Sequence, residues 1–209
     1  MRVGVDEAGK GPVLGSMFAA AVRADPAALP DEVGDSKGIP EDRRQRLAAE
    51  IRANSADVAV VEIPVERIDD PETDMNRLTV AAHAEALVAV ATAEDRAVVD
   101  AGDVDAARFG RRVAEQSPPR VEAAHGADAS DPVVGAASIL AKQAREGHVA
   151  ELADTYGAVG SGYPSDPSTR RFLRGYVAAH DTLPDCARDS WQTSQDALAA
   201  REQASLEEF

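Results

Sequence analysis

The chain has 209 residues, 44% of them hydrophobic and only 4% aromatic, which suits one domain whose core is built from Ala, Val and Leu, with at most a terminal appendage. A lone cysteine, Cys186, excludes an internal disulfide framework, and no apolar run approaches the ~18 residues that a membrane span needs. A net charge of −15 argues at first sight against a polyanionic partner, although only three of the 22 basic residues are lysine, and arginine with abundant Asp and Glu suits a protein built for molar salt, where charge repulsion is screened.

In chain order, residues 2–6 alternate apolar and other residues and read as a strand that begins almost at Met1. An apolar run at 15–22 follows a Gly/Pro turn, which makes it a second strand antiparallel to the first. Pro40, with acids behind it and Leu47, Ala48 and Ile51 as a stripe, opens a helix. Residues 57–63 form a third strand, 73–93 an Ala-rich helix, and 97–100 a buried strand ending on Asp100. A helix from about Val104, a strand at 120–124 and a helix at 132–156 come next. A Gly/Ser/Pro loop at 157–167 leads to helical stretches at 168–179 and 193–205. This order predicts a mixed sheet flanked by helices, with a helical C-terminal extension. The absence of a basic-then-apolar leader, and the single cysteine, lead to the expectation of a cytoplasmic protein with no membrane partner.

The three lysines all fall in compact motifs: Lys10 in Asp6-Glu7-Ala8-Gly9-Lys10-Gly11-Pro12, Lys37 in Asp35-Ser36-Lys37, and Lys142 at the end of Ala136-Ala137-Ser138-Ile139-Leu140-Ala141-Lys142. Asp6-Glu7 closes the first strand and Asp100 closes a later one. If those strands are parallel neighbours, their acids meet at the carboxyl edge of the sheet, where ligands bind in such folds. Clustered carboxylates do not all stay ionised without a cation, and oxygen ligands with no His or Cys nearby favour Mg²⁺ or Mn²⁺ over zinc. For Asp100 alone a plain solvated acid is the more ordinary reading. Gly9-Lys10-Gly11 is neither a dinucleotide fingerprint nor a P-loop, but a Gly-x-Gly turn exposes backbone N–H groups to a sugar-phosphate. His83, His125, His148 and His180 show no ligand spacing and read as surface or core residues.

Taken together, DEAGKGP, DSK, VVDAGDVD, GADASDPVVGAASILAK and GSGYPSDPSTRRFL resemble type 2 ribonuclease H in its archaeal form. The matches keep their order from Val3 to about Trp191. The resemblance implies a ribonuclease H-like α/β fold with a mixed five-stranded sheet, and hydrolysis of RNA paired to DNA, including cuts at single ribonucleotides in duplex DNA that leave 5′-phosphate and 3′-hydroxyl ends. It implies four acids, Asp6, Glu7, Asp100 and Asp128, holding two divalent ions, Mn²⁺ or Mg²⁺, with Asp6 as the bridging ligand. Asp131 competes for the fourth place, but the position of Asp128, seven residues before Gly135, favours Asp128. Asp103 and Asp105 compete with Asp100 but fall past the strand, in a helix's first turn, where acids have an ordinary dipole role.

The same resemblance implies that Gly9, Lys10 and Gly11 grip the 2′-hydroxyl side of the ribonucleotide, and that Tyr163 packs on a neighbouring sugar. It implies phosphate contacts from Lys37, Ser138, Lys142, Arg145 and Arg170. Three departures stand out: Lys10 where Arg is usual, Glu146 where Asp is usual, and Ser190-Trp191-Gln192 in place of Gly-Trp-Lys. None removes a metal ligand. Residues 1–157 then form the catalytic core, 158–200 a substrate-contacting loop and helices, and 201–209 a tail. In that tail Gln203, Leu206 and Phe209 resemble a sliding-clamp-binding peptide, with Leu206 and Phe209 on one face of a turn. The expected protein is a monomer from a halophile. Its rivals are a non-catalytic nucleic-acid or clamp-binding protein on this fold, and an acidic protein that holds cations only structurally.

Overall fold

The computed structural model describes residues 1–34 and 39–207, with side chains described up to residue 203. Strand β1 (Arg2–Ala8) is followed by β2 (Met17–Ala24), helix α1 (Glu41–Asn54), β3 (Asp57–Ile63), a short helix α2 (Val65–Ile68), α3 (Met75–Val90) and β4 (Arg96–Asp100). Helix α4 (Ala106–Ala114), β5 (Arg120–Ala124), a 3-10 turn (Ala127–Ala129), α5 (Pro132–Tyr156), α6 (Pro167–His180) and α7 (Gln192–Glu207) complete the order. None of the described helices is long and apolar enough to cross a membrane.

The strands make one sheet in the order β3-β2-β1-β4-β5. The tight Gly/Pro turn after β1 returns the chain antiparallel as β2, and β3 is antiparallel to β2. Strands β4 and β5 each follow a helix and are parallel to β1, as a crossover connection requires. Ala20, Val22 and Ala24 face α1 and α5, packing on Leu47, Ile51, Val133, Ile139 and Leu140. Val3, Val5, Ala21 and Val99 face the other way, onto Val80 and Leu87 of α3 and Phe109 and Val113 of α4. Small residues let the helices come close. A Cβ at Gly4 would stand 2.3 Å from the Val133 carbonyl carbon, so only glycine allows α5 to lie against β1.

The chain forms two compact units. The first is Met1–Lys10, Met17–Ile63 and Asp74–Arg145, and the second is Gly11–Ser16, Pro64–Thr73 and Glu146–Phe209. The expected boundary at residue 157 followed the end of α5, whereas packing divides α5 itself and draws two earlier segments into the second unit. That unit has its own core of Val13, Leu14, Val159, Leu173, Val177, Cys186, Ala187 and Ala197, with Tyr156, Phe172 and Trp191 packed against it.

Strands β3 and β5 and helix α5 fall where the hydrophobic pattern put them. Other ends move for local reasons. Strand β1 continues to Ala8, so Glu7 lies inside it, and β2 starts at Met17 because Gly15, at φ 76°, belongs to the turn. Helix α3 starts after Asp74, whose carboxylate accepts the Asn76 and Arg77 N–H groups at 2.9 Å. Asp105 does the same for α4, so that helix begins at Ala106 rather than Val104. The four residues of α2 are too few to show a period and were not foreseen.

Candidate active site

The register brings the acids together. Val5 pairs with Val99 across the parallel strands β1 and β4, so the next residues along the two strands are Asp6 and Asp100. Asp100 also pairs with Ala124 of β5, and one of its oxygens accepts the Ala127 N–H at 2.9 Å. That bond ties the 3-10 turn carrying Asp128 to the end of β4, and Asp128 is buried there. Alternation along β1 separates its two acids. Asp6 shares the Gly4 face and looks toward Ser138 of α5, while Glu7 shares the Val3 and Val5 face and meets α3.

Asp6 is 5% exposed, and its pKa is pushed up to about 7, chiefly by burial and then by the neighbouring Glu7. Asp100 adds to the rise, while the Ser138 hydroxyl and the Glu7 N–H, 2.7 Å from Asp6 Oδ1, pull the other way. Glu7 has the opposite balance. Burial works to raise its pKa, but the hydrogen bond and charge of His83 and the ammonium of Lys10 outweigh it, and the carboxyl is held below its usual range. His83 Nε2 lies 2.8 Å from Glu7 Oε2 and is the donor of the pair, because an ionised carboxylate only accepts. The imidazole is wholly buried and stands edge-on to Phe109, with centroids 5.1 Å apart. Lys10 Nζ donates to the Gly102 carbonyl and to Asn76 Oδ1 at 3.3 Å. A Cβ at Gly102 would meet Thr79 Cγ2 at 2.7 Å and Glu7 Oε1 at 3.0 Å, so glycine is needed beside the acid.

The donor set is all carboxylate oxygen, since the one nearby imidazole is engaged with Glu7, and burial together with neighbouring negative charge raises Asp6. A hard divalent cation fits both facts. Among the described residues no three Asp, Glu, His or Cys side chains are already drawn around one point, so the acids form an open set rather than a closed cage.

The competing acids have other work. Asp131 accepts the Val133 N–H at 2.9 Å at the start of α5 and pairs with Arg2. Asp103 holds Arg108 through both oxygens at 2.8 and 2.9 Å, and Asp105 caps α4.

The substrate candidates are spread over both units. In the first, Gly9 has φ 92° and Lys10 is engaged as above. Ser138, Lys142 and Arg145 share a face of α5, with Ser138 and Arg145 buried and Lys142 partly exposed. In the second unit a Cβ at Gly11 would stand 3.8 Å from the Tyr163 ring, and Tyr163 is 43% exposed. Arg170 is exposed and donates to the Pro164 carbonyl. Lys37 lies outside the described residues. So does Phe209; Gln203 is an exposed residue of α7, and Leu206 lies in its last turn. The sequence reading placed His83 in the core or on the surface and missed its bond to Glu7. The available signal was a histidine four residues after Thr79, on the same helical face and in line with apolar residues.

The ribonuclease HII family profile matches residues 3–194. The chain is 65% identical to the ribonuclease HII of Haloarcula marismortui, with all of both chains covered. Ribonuclease H2 from Pyrococcus horikoshii OT3 superposes with a TM-score of 0.88 at 31% identity, over 96% of this chain and 98% of that one. A structure of the PCNA:RNase HII complex from Archaeoglobus fulgidus gives 0.86 at 36% identity, over 94% and 96%. With its acid-edged mixed sheet and a full-length relative in a halophilic archaeon, the chain belongs to the ribonuclease HII family, and its enzymatic class is that of a ribonuclease H.

Proposed function

We propose that the chain hydrolyses the RNA strand of RNA/DNA hybrids and cuts duplex DNA at single embedded ribonucleotides, leaving 5′-phosphate and 3′-hydroxyl ends. The observation that carries this reading is the carboxylate edge, where burial and neighbouring acids push Asp6 up to about 7. Two divalent ions, Mg²⁺ or Mn²⁺, would be held by Asp6, Glu7, Asp100 and Asp128, and when bound would supply an activated water and stabilise the leaving oxygen. His83 and Lys10 keep Glu7 ionised and aimed, and the Ala127 N–H aims one oxygen of Asp100. No protein nucleophile is required, which is consistent with the all-carboxylate site.

Substrate recognition follows from backbone and ring. Gly9, Lys10 and Gly11 present main-chain groups to the ribose 2′-hydroxyl, and Tyr163 packs on the adjoining sugar. Lys37, Ser138, Lys142, Arg145 and Arg170 contact phosphates without reading bases. Of the described members, Lys142 and Arg170 have the more accessible cationic groups, while Ser138 and Arg145 need a shift of their surroundings to reach a duplex. The protein works as a monomer in a salt-rich cytoplasm, where a buried Cys186 thiol, pushed up to about 11 by burial, stays inert.

The tail from Gln203 to Phe209 binds the replication clamp, a reading supported by the Archaeoglobus relative solved as a PCNA:RNase HII complex. Its removal should abolish clamp binding in calorimetry and leave cleavage of a short duplex unchanged. The test of the activity is a panel of three labelled duplexes: an RNA/DNA hybrid, DNA with one ribonucleotide, and DNA alone, each with Mg²⁺ or Mn²⁺ in molar KCl. Cleavage of the first two and not the third is expected. Cleavage of DNA alone, or of none, would overturn the reading.

A further inference from the structure

The segment after Lys10 is short, glycine-punctuated and almost fully accounted for by backbone bonding within the second unit. Val13 and Leu14 donate to the Gly162 carbonyl at 2.8 and 3.2 Å, and Gly15 donates to the Cys186 carbonyl at 2.7 Å. Ser16 N–H donates to His148 Nε2 at 3.2 Å. Leu14 and Ala187 form an isolated antiparallel bridge, and Arg188 N–H donates to the Val13 carbonyl at 2.8 Å. Gly15 turns the chain at φ 76°, where a Cβ would strike His148 at 2.7 Å.

One side chain completes this frame. Arg188 is 0% exposed, and its Nε donates to the Gly15 carbonyl at 2.8 Å. Its guanidinium carbon lies 4.9 Å from the Trp191 ring centroid, and Trp191 Nε1 donates in turn to the Gly11 carbonyl at 3.4 Å. The pair thus reaches the Gly11–Ser16 segment at both ends. Asp69 fixes the stretch between them, accepting the Asp189 N–H at 2.7 Å and the Ser190 N–H at 3.0 Å. A buried guanidinium costs desolvation that an apolar side chain of the same size avoids, so a fold needing only packing gains little from arginine here. Its planar fork and face, however, suit one donor directed at a carbonyl and one surface laid on an indole.

We infer that Arg188, seated on Trp191, is a positioning residue for ribonucleotide selectivity: it holds the Gly11–Ser16 segment so that Gly11 stays against the Tyr163 ring. The inference rests on the proposed reading of Gly11 and Tyr163 as ribose contacts. The Ser190 hydroxyl is consistent with it, because it adds another bond to Asp69.

The test compares KM for a one-ribonucleotide duplex with Ki for the same duplex as all-DNA competitor, in Mn²⁺ and molar KCl. Both constants are independent of the folded fraction, so a purely structural defect leaves Ki/KM unchanged. In Arg188→Lys, which keeps the charge and loses the fork, the ratio is expected to fall about tenfold, the scale of one charge-assisted hydrogen bond. In Trp191→Phe, which keeps an aromatic ring under the guanidinium but removes the Nε1–H and part of the indole's packing surface, it is expected to fall about threefold, whatever the change in Tm. If Arg188→Lys fails to fold, Trp191→Phe decides alone. A wild-type ratio above one that persists in every folded variant overturns this inference and leaves the substrate reading standing. A wild-type ratio of one overturns both.

Discussion

Asp6 carries an electrostatic cost in the folded first unit, and the sign of that cost is testable. Its carboxyl titrates at about 7 in the folded chain against 3.8 when exposed, so between those values the folded state binds the extra proton. Stability of the metal-free protein therefore falls as pH rises through that window, by at most about 4 kcal/mol. Asp6→Asn removes the cost. In EDTA at pH 8 it should melt above wild type, with the gap closing toward pH 4, and it should not cleave. An equal or lower melt at pH 8 would contradict the assignment. His83 is the second test at this scale. His83→Leu leaves Glu7 without its donor, and the Mn²⁺ concentration for half-maximal activity should rise about 10–100-fold, as for other residues that orient a metal ligand. An unchanged Mn²⁺ requirement would count against a role for the pair. The adjacency of Asp6 and Asp100 was legible as a consequence of parallel neighbouring strands, since Val5 pairs with Val99 and the next residue on each strand is an acid. His83 was not, since nothing in a helix's sequence tells which strand residue it will face.

Elements were legible where periodicity runs long. The 25 residues of α5 and the seven of β3 fell where expected, and the parallel pairing of β1 with β4 meets the condition under which Asp6 and Asp100 converge. Less legible was whatever depends on distant partners. The Gly11–Ser16 segment looks like a simple turn, yet its frame comes from Gly162, Cys186 and Arg188. Gly4 is a similar case, an unremarked glycine inside a strand whose hydrogen atom makes room for α5. Gly4→Ala would drive a methyl group into the Val133 and Val134 backbone, which has no rotamer to yield with. A loss of about 1–3 kcal/mol is expected, read as a lower denaturant midpoint at constant m. Wild-type stability in that variant would mean that α5 and β1 are not so closely packed.

For the whole molecule the dominant fact is charge, 37 acids against 22 basic groups. Self-repulsion weakens a compact acidic fold in dilute buffer, and at 1 M salt the screening length shrinks to about 3 Å. Tm should therefore rise with KCl toward the molar range; a melt that is highest in dilute buffer and falls steadily would contradict a fold adapted to salt. The central claim is that four carboxylates at one sheet edge make this chain a metal-dependent ribonuclease. Its most direct test is cleavage of a duplex carrying one ribonucleotide, by wild type and Asp100→Asn at saturating Mn²⁺, with the product ends identified. The account predicts cutting by wild type only, dependent on the metal, with 5′-phosphate and 3′-hydroxyl ends. Wild-type turnover by Asp100→Asn, or ends bearing a 2′,3′-cyclic phosphate, would contradict it.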